Sequence, residues 1–218
     1  DFSYQTGFGN HFETEADPGV LPRGQNSPQK VQGGLFTEQI TGTAFTAPRR
    51  SMRRSWVYRM RPSVRHFNNL QPIDNGLIRT GPDKDSVPAS VQLRWDPFPA
   101  SSLKTNWLTG LTTIATNGNN EMQTGGAVHH FVATDSMEDL AFVDTDGELM
   151  LVPYEGRIVV RSEMGQMHVA PGHLAVIPRG VKFAVDLLDS AARGYVCENY
   201  GPAFDLPEHG LLGPDANA

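Results

Sequence analysis

Seven histidines are spread over the 218 residues, and only His129 and His130 are adjacent. Neutral imidazole binds transition metals and exchanges protons near neutral pH, so this pair is where chemistry is first sought. If Ala127–Ala133 forms a strand, neighbouring side chains leave on opposite faces, and the two rings cannot easily close on one ion. The expectation is one histidine hydrogen-bonded inside and one exposed, in preference to a ligand or acid/base pair. His11, His66, His168, His173 and His209 lack ligand spacing and read as solvated or structural. Cys197 shares a strand pattern with Tyr195 and reads as an inert core thiol. Gly7-Phe8-Gly9-Asn10-His11-Phe12 begins like a dinucleotide loop, but its third glycine, its preceding strand and its following helix are missing. The chain contains neither a Gly-x-Ser-x-Gly elbow nor a Walker loop.

A longer pattern runs Pro171-Gly172-His173-Leu174-Ala175-Val176-Ile177-Pro178-Arg179-Gly180-Val181-Lys182-Phe183. Its glycines at tight turns and its apolar strand between two prolines resemble the second signature of cupins, small jelly-roll barrels that bind metal with histidines. Phe183 stands where a metal-binding cupin has its histidine, and a phenyl ring offers a cation no lone pair. Glu148 through Gly156 resembles the end of the first signature, off by one residue, with no histidine in Phe142–Gly147 before it. Both signatures are present as architecture and lack ligands. We therefore expect an interior packed with apolar side chains, and assign no catalytic, cofactor-binding or metal-binding residue in this chain.

The elements around these motifs are short. Apolar segments Leu149–Val152, Ile158–Val160, Met167–Val169, Leu174–Ile177, Phe183–Leu188 and Tyr195–Cys197 alternate with glycine- and proline-bearing turns. That spacing predicts an antiparallel sandwich or barrel, because glycine or proline interrupts before a helix could complete a third turn. Residues 1–110 read as an irregular extension with strands at Leu35–Ile40 and Ser55–Met60 and a loop over Gln71–Ala89; residues 111–218 read as the barrel. The fold class expected is all-β, a cupin-like jelly roll with a long irregular N-terminal extension.

Composition narrows the function. The chain is 39% hydrophobic and 19% charged, with net charge -6 and a pI of about 5.6, so it is not built as a whole to attract nucleic acid. A local arginine cluster, Arg49, Arg50, Arg53, Arg54, Arg59, Arg61 and Arg65 with Trp56 and Tyr58 interleaved, could contact phosphates and stack on bases. No recognition motif accompanies it, and we expect it to lie against another subunit or another part of the chain. No apolar run approaches the roughly 18 residues of a membrane span, and no positively charged start leads into an apolar signal core in the given sequence. One cysteine excludes an internal disulfide and fits a cytoplasmic protein. The start at Asp1 without methionine and the stop at Ala218 read as the limits of a piece of something longer.

Several ordered segments resemble homogentisate dioxygenases. They are Tyr4–Asn10, Leu21–Gln29, Glu38–Thr46, Arg54–Arg59, Pro62–Val64, Gln92–Phe98, Ser136–Glu138, Asp146–Glu148 and Arg193–Tyr195, and they cover essentially the whole chain. The resemblance implies the N-terminal part of a cytoplasmic Fe(II) enzyme that opens the ring of homogentisate with O2, giving maleylacetoacetate in tyrosine and phenylalanine catabolism. It further implies a two-part cupin-like fold, a homo-oligomer built as a dimer of trimers, and an iron held by two histidines and a glutamate in the C-terminal half. Such a 2-His-1-carboxylate site keeps open positions for substrate and O2. No ligand or catalytic residue of the family can be carried onto this chain. His129 matches a histidine of the family pattern without a known role, and His130 stands where an apolar residue is expected. The part in hand is expected to be structural, to build the oligomer, to shape a neighbour's pocket and to be inactive alone. The competing reading is a non-catalytic cupin module for ligand binding or storage; a sugar isomerase on the same barrel is disfavoured by the missing ligands.

Overall fold

The structure is a computed structural model that describes residues 2, 4, 34–39, 56–65, 74, 76–82, 90–92, 94, 96–99 and 104–204. In chain order the strands are β1 (Phe36–Gln39), β2 (Trp56–Arg59), β3 (Leu111–Asn119), β4 (Thr124–Ala133), β5 (Phe142–Val143) and β6 (Glu148–Glu155). They continue with β7 (Ile158–Ser162), β8 (Gly165–Val169), β9 (Ala175–Ile177), β10 (Lys182–Leu187) and β11 (Ala192–Asn199). The one helical turn among the described residues is a 3-10 turn at Ser63–Arg65.

Side-chain alternation decides how these strands pair. On β6, Leu149, Leu151 and Pro153 are buried while Met150 and Val152 are half-buried and Tyr154 is exposed. On β11, Ala192, Gly194, Val196 and Glu198 are buried, and the residues between them face the other way. A period of two with one apolar set can bury only one face, so two such sheets close on each other. They do so here as a five-stranded sheet ordered β3-β4-β11-β6-β9 and a four-stranded sheet ordered β5-β10-β7-β8. All their pairings are antiparallel. Because β11 returns between β4 and β6, the sheets are wound by crossovers, which makes the sandwich an all-β jelly roll. Pro153 sits past the end of the β9 pairing and beside a bulge at Arg193/Gly194, where its missing N–H breaks no ladder.

Between the sheets lies one core, including Trp107, Phe131, Leu149, Leu151, Ile158, Val160, Ile177, Phe183, Val185 and Val196. The core reaches back to Trp107, on the extension side of the expected boundary at residue 110. The predicted glycine turns occur as such: Gly172 and Gly180 have φ of +91° and +83°. Strands β1 and β2 pair with each other as a separate two-stranded sheet. Nearby, Leu77 makes a parallel bridge to Thr112 at the edge of β3. Strands β3 and β5 were not anticipated: β3 is a threonine- and asparagine-rich strand with little apolar rhythm, and β5 has only two residues. Among the described residues no helix is long and apolar enough to cross a membrane.

Candidate functional site

Alternation on β4 sends Ala127, His129, Phe131 and Ala133 into the barrel and His130 out through the far face of the sheet, as the strand reading required. Inside, His129 is 3% exposed and held at both ring nitrogens. Nδ1 lies 2.9 Å from Thr113 Oγ1 and Nε2 lies 3.0 Å from Glu198 Oε2. The Thr113 hydroxyl already accepts the Arg79 N–H at 2.7 Å, which leaves its own proton for Nδ1. The pattern is complete with the His129 proton on Nε2, donated to Glu198.

Glu198 gathers the rest of a buried polar cluster. Its Oε2 also accepts the Tyr200 hydroxyl at 3.1 Å, and its charge acts on the Asp144 carboxyl. Burial first, and then the Glu198 charge, raise the Asp144 pKa to about 7, against the pull of two N–H donors from Asp146 and Gly147. Burial and the same carboxylate push the Tyr200 phenol well above its usual range. Gly147 allows this approach: a Cβ there would lie 2.6 Å from Glu198 Cγ. Beside the cluster, Glu148 accepts the Phe204 N–H, and Arg179 donates to the Tyr200 carbonyl at 3.1 Å.

One inward step along β4 the interior changes character. Phe183 is 1% exposed and meets Trp107 at 5.3 Å and 68° and Phe142 at 5.8 Å and 85°, both edge-to-face. Aromatic rings thus fill the space around the position where a cupin histidine would stand. The expected apolar interior is therefore correct around Phe183 and must be corrected around Glu198, where His129, Glu198 and Tyr200 are buried together beside a half-buried Asp144. A strand that alternates around Val196 turns Glu198 inward, and a charged residue at an inward position was the signal to follow.

On the outer face His130 is also buried, at 2%, which corrects the expectation of one exposed histidine. Its Nε2 lies 2.8 Å from the Tyr154 hydroxyl, Phe98 stacks on its ring at 4.6 Å and 11°, and Tyr195 meets it edge-on at 5.5 Å. Phe98 comes from the extension, so sequence alternation could not show the cover. Burial, helped by the Arg193 charge, lowers the His130 pKa. Cys197 is corrected as well: it is half-buried on the outer face, not in the core, and burial raises its thiol pKa.

The remaining candidates stay apart. His168 and His173 are exposed, while His11, His66, His209 and the Gly7–Phe12 stretch lie outside the described residues. Of the arginine cluster, Arg61 and Arg65 are exposed; Arg49, Arg50, Arg53 and Arg54 lie outside the described residues. Arg59 is 8% exposed and grips Glu163, before β8, with Nε–Oε1 2.9 Å and Nη2–Oε2 2.7 Å, and also Glu38 of β1. Part of the cluster therefore lies against another part of the same chain.

The donors do not fit a metal centre. Both His129 nitrogens are engaged, Glu198 already accepts from His129 and Tyr200, and no three His, Cys, Asp or Glu side chains among the described residues are grouped to hold an ion. What the arrangement can do is hold a proton and fix Thr113, His129, Tyr200 and the turn before β6 relative to one another.

Two antiparallel sheets wound as a jelly roll, with both signature turns in place and phenylalanine at the ligand position, define a cupin-type barrel. Solved cupins superpose partially: a cupin-2 domain protein from Shewanella frigidimarina covers 44% of this chain and 84% of its own at 14% identity and TM-score 0.35. An RmlC-like cupin with a double-stranded β-helix fold from Methanocaldococcus jannaschii covers 51% and 93% at 10% identity and TM-score 0.37. These superpositions add nothing to what the topology itself shows. Sequence comparison is sharper, since the model of the homogentisate 1,2-dioxygenase N-terminal family matches residues 3–218, and the chain belongs to that family. Homogentisate 1,2-dioxygenases of Rhodopseudomonas palustris strains BisB18 and TIE-1 are 49% and 48% identical over 215 residues, 99% of this chain and 48% of each relative. The chain spans about half the length of the curated relatives it matches.

Proposed function

We propose that this chain is the N-terminal, non-catalytic part of an Fe(II)-dependent dioxygenase that opens the ring of homogentisate with O2 to give maleylacetoacetate, in tyrosine and phenylalanine catabolism. The observation that carries the proposal is the family match over residues 3–218, with relatives of that name at 49% identity. The interior chemistry supports the division of labour. A barrel with Phe183 packed on Trp107 and Phe142, and with His129 and Glu198 bound to each other, presents no donor set aimed at an iron. In this reading the iron belongs to the half of the polypeptide outside this chain, and no step of the reaction is assigned to residues here. Their role is to build the homo-oligomer, a dimer of trimers, and to shape a neighbour's pocket, in the cytoplasm.

The test is O2 uptake by the full polypeptide carrying this chain, loaded with Fe(II) and given homogentisate. Uptake of one O2 per homogentisate is expected, with none from residues 1–218 prepared alone. A full polypeptide without homogentisate-dependent uptake, or turnover by residues 1–218 alone, overturns the proposal.

A further inference from the structure

The outer faces of the two sheets differ in kind. That of the four-stranded sheet carries ion pairs, Arg161 with Asp186 and Lys182 with Glu163 at its edge. That of the five-stranded sheet is apolar across four adjacent strands. Strand register places Val128, Cys197, Met150 and Val176 in one row, and His130, Tyr195 and Val152 in the next. Along it Val128 is 36% exposed, Val176 39%, Tyr195 43%, Tyr154 45% and Leu174 63%. Isolated exposed apolar residues are ordinary, but a contiguous face of them on a rigid sheet marks an interaction surface.

We infer that this face is the docking surface for the half of the longer polypeptide that lies outside this chain, an inference that rests on the functional reading above. Three observations select that occupant. The relatives carry about as much chain again as the stretch matched here, and in that functional reading this chain has a covalently attached neighbour of similar size to pack against. The described chain leaves the barrel at Tyr200–Phe204, directly after β11, the middle strand of this sheet, so polypeptide after Phe204 starts beside the face at high effective concentration. Extension residues already use the face in the same way, with Phe98 stacked on His130, while the apolar rows beside them remain accessible. These features set the occupant's chemistry: an apolar or aromatic surface, with a hydrogen-bond acceptor for the Tyr195 hydroxyl and little charge, since the Arg193–Glu155 pair lies at the border of the face.

The experiment uses the full polypeptide with Val176→Cys or Tyr195→Cys, and Met164→Cys in the β7–β8 turn, 48% exposed, as reference. Maleimide labelling is followed peptide by peptide, so Cys197 and any other native cysteine are read separately. Labelling at 176 and 195 is expected to be at least tenfold slower than at 164, and a short thiol-to-amine cross-linker at these positions should capture peptides from outside residues 1–218 of the same polypeptide. Labelling as fast as at 164 overturns the inference, as do cross-links to a second copy or to residues 1–103. Homogentisate-dependent O2 uptake by the same preparations separates the two proposals. An inactive protein with a protected face removes the functional reading alone, and an active protein with an open face removes the docking surface alone.

Discussion

Phe131 and His129 are one inward step apart on β4, and the two zones they enter bury their surroundings by different physics. Around Phe131 and Phe183 the barrel is closed by rings meeting edge to face, where stability comes from area removed from water and shape fit. Around His129 and Glu198 it is closed by groups that are costly to bury singly and tolerable together, because each donor finds an acceptor. In a metal-binding cupin the interior donors answer to an ion. Here Phe183 stands at the second-signature ligand position among aromatic rings, and the buried polar groups bind one another.

The largest expected effect is in the aromatic zone. Phe183→Ala should lower unfolding free energy in urea by about 3–5 kcal/mol, the usual cost of emptying a buried aromatic site. Phe183→His should also destabilise, because the imidazole would be buried among the Trp107 and Phe142 rings without enough partners, and should bring no iron with it. A Phe183→Ala barrel as stable as the parent would erase the contrast between the zones.

Next comes the polar zone. Glu198→Ala strands the His129 Nε2–H and the Tyr200 hydroxyl, at about 1–3 kcal/mol for each orphaned donor. Asp144→Asn should behave differently, since an amide can keep accepting from Asp146 and Gly147 and carries no titratable proton. The pH dependence arises from the same proton. Asp144 has a folded pKa raised from 3.8 to about 7, so folding takes up a proton between those values. Its stabilising contribution is complete below about 3.8 and is lost as pH rises through about 7. The thermal midpoint should accordingly fall from pH 5 to pH 8, and Asp144→Asn should flatten that fall; an unchanged slope in the variant would contradict the raised Asp144 pKa.

The smallest effect lies outside the barrel. Arg59→Ala removes the grip on Glu163 and Glu38 and should cost on the order of 1–2 kcal/mol, given ionic hydrogen bonds that are only partly shielded from water. Amide exchange should speed up in β1 and β2 and stay unchanged in β6 and β11. Faster exchange throughout the barrel would show that the hairpin is integral to it.

Much of this contrast could be read in the sequence, and its limits have physical causes. Short apolar runs bounded by glycine or proline turns sufficed for β6 through β11, with clear period-two burial on β6 and β11. They were silent on β3, whose threonines and asparagines carry little apolar rhythm, and on β5, too short to have one. Phe183 was legible because a single residue type decides whether a lone pair exists. The polar zone was not, because it is assembled from Thr113, His129, Asp144, Glu198 and Tyr200 on different strands and turns. The cover on His130 comes from Phe98, distant in sequence, and Cys197 was misplaced by taking apolar character for inward direction when β11 alternates the other way.

In the proposed function the donors of this barrel serve its own packing, and the iron is held outside this chain. Iron per protomer in the full polypeptide with His129→Gln tests it most directly, read alongside the thermal midpoint. The account predicts the parent's iron content with a lower midpoint, since glutamine cannot satisfy both Thr113 and Glu198 with imidazole geometry. Loss of iron with an unchanged midpoint would contradict it.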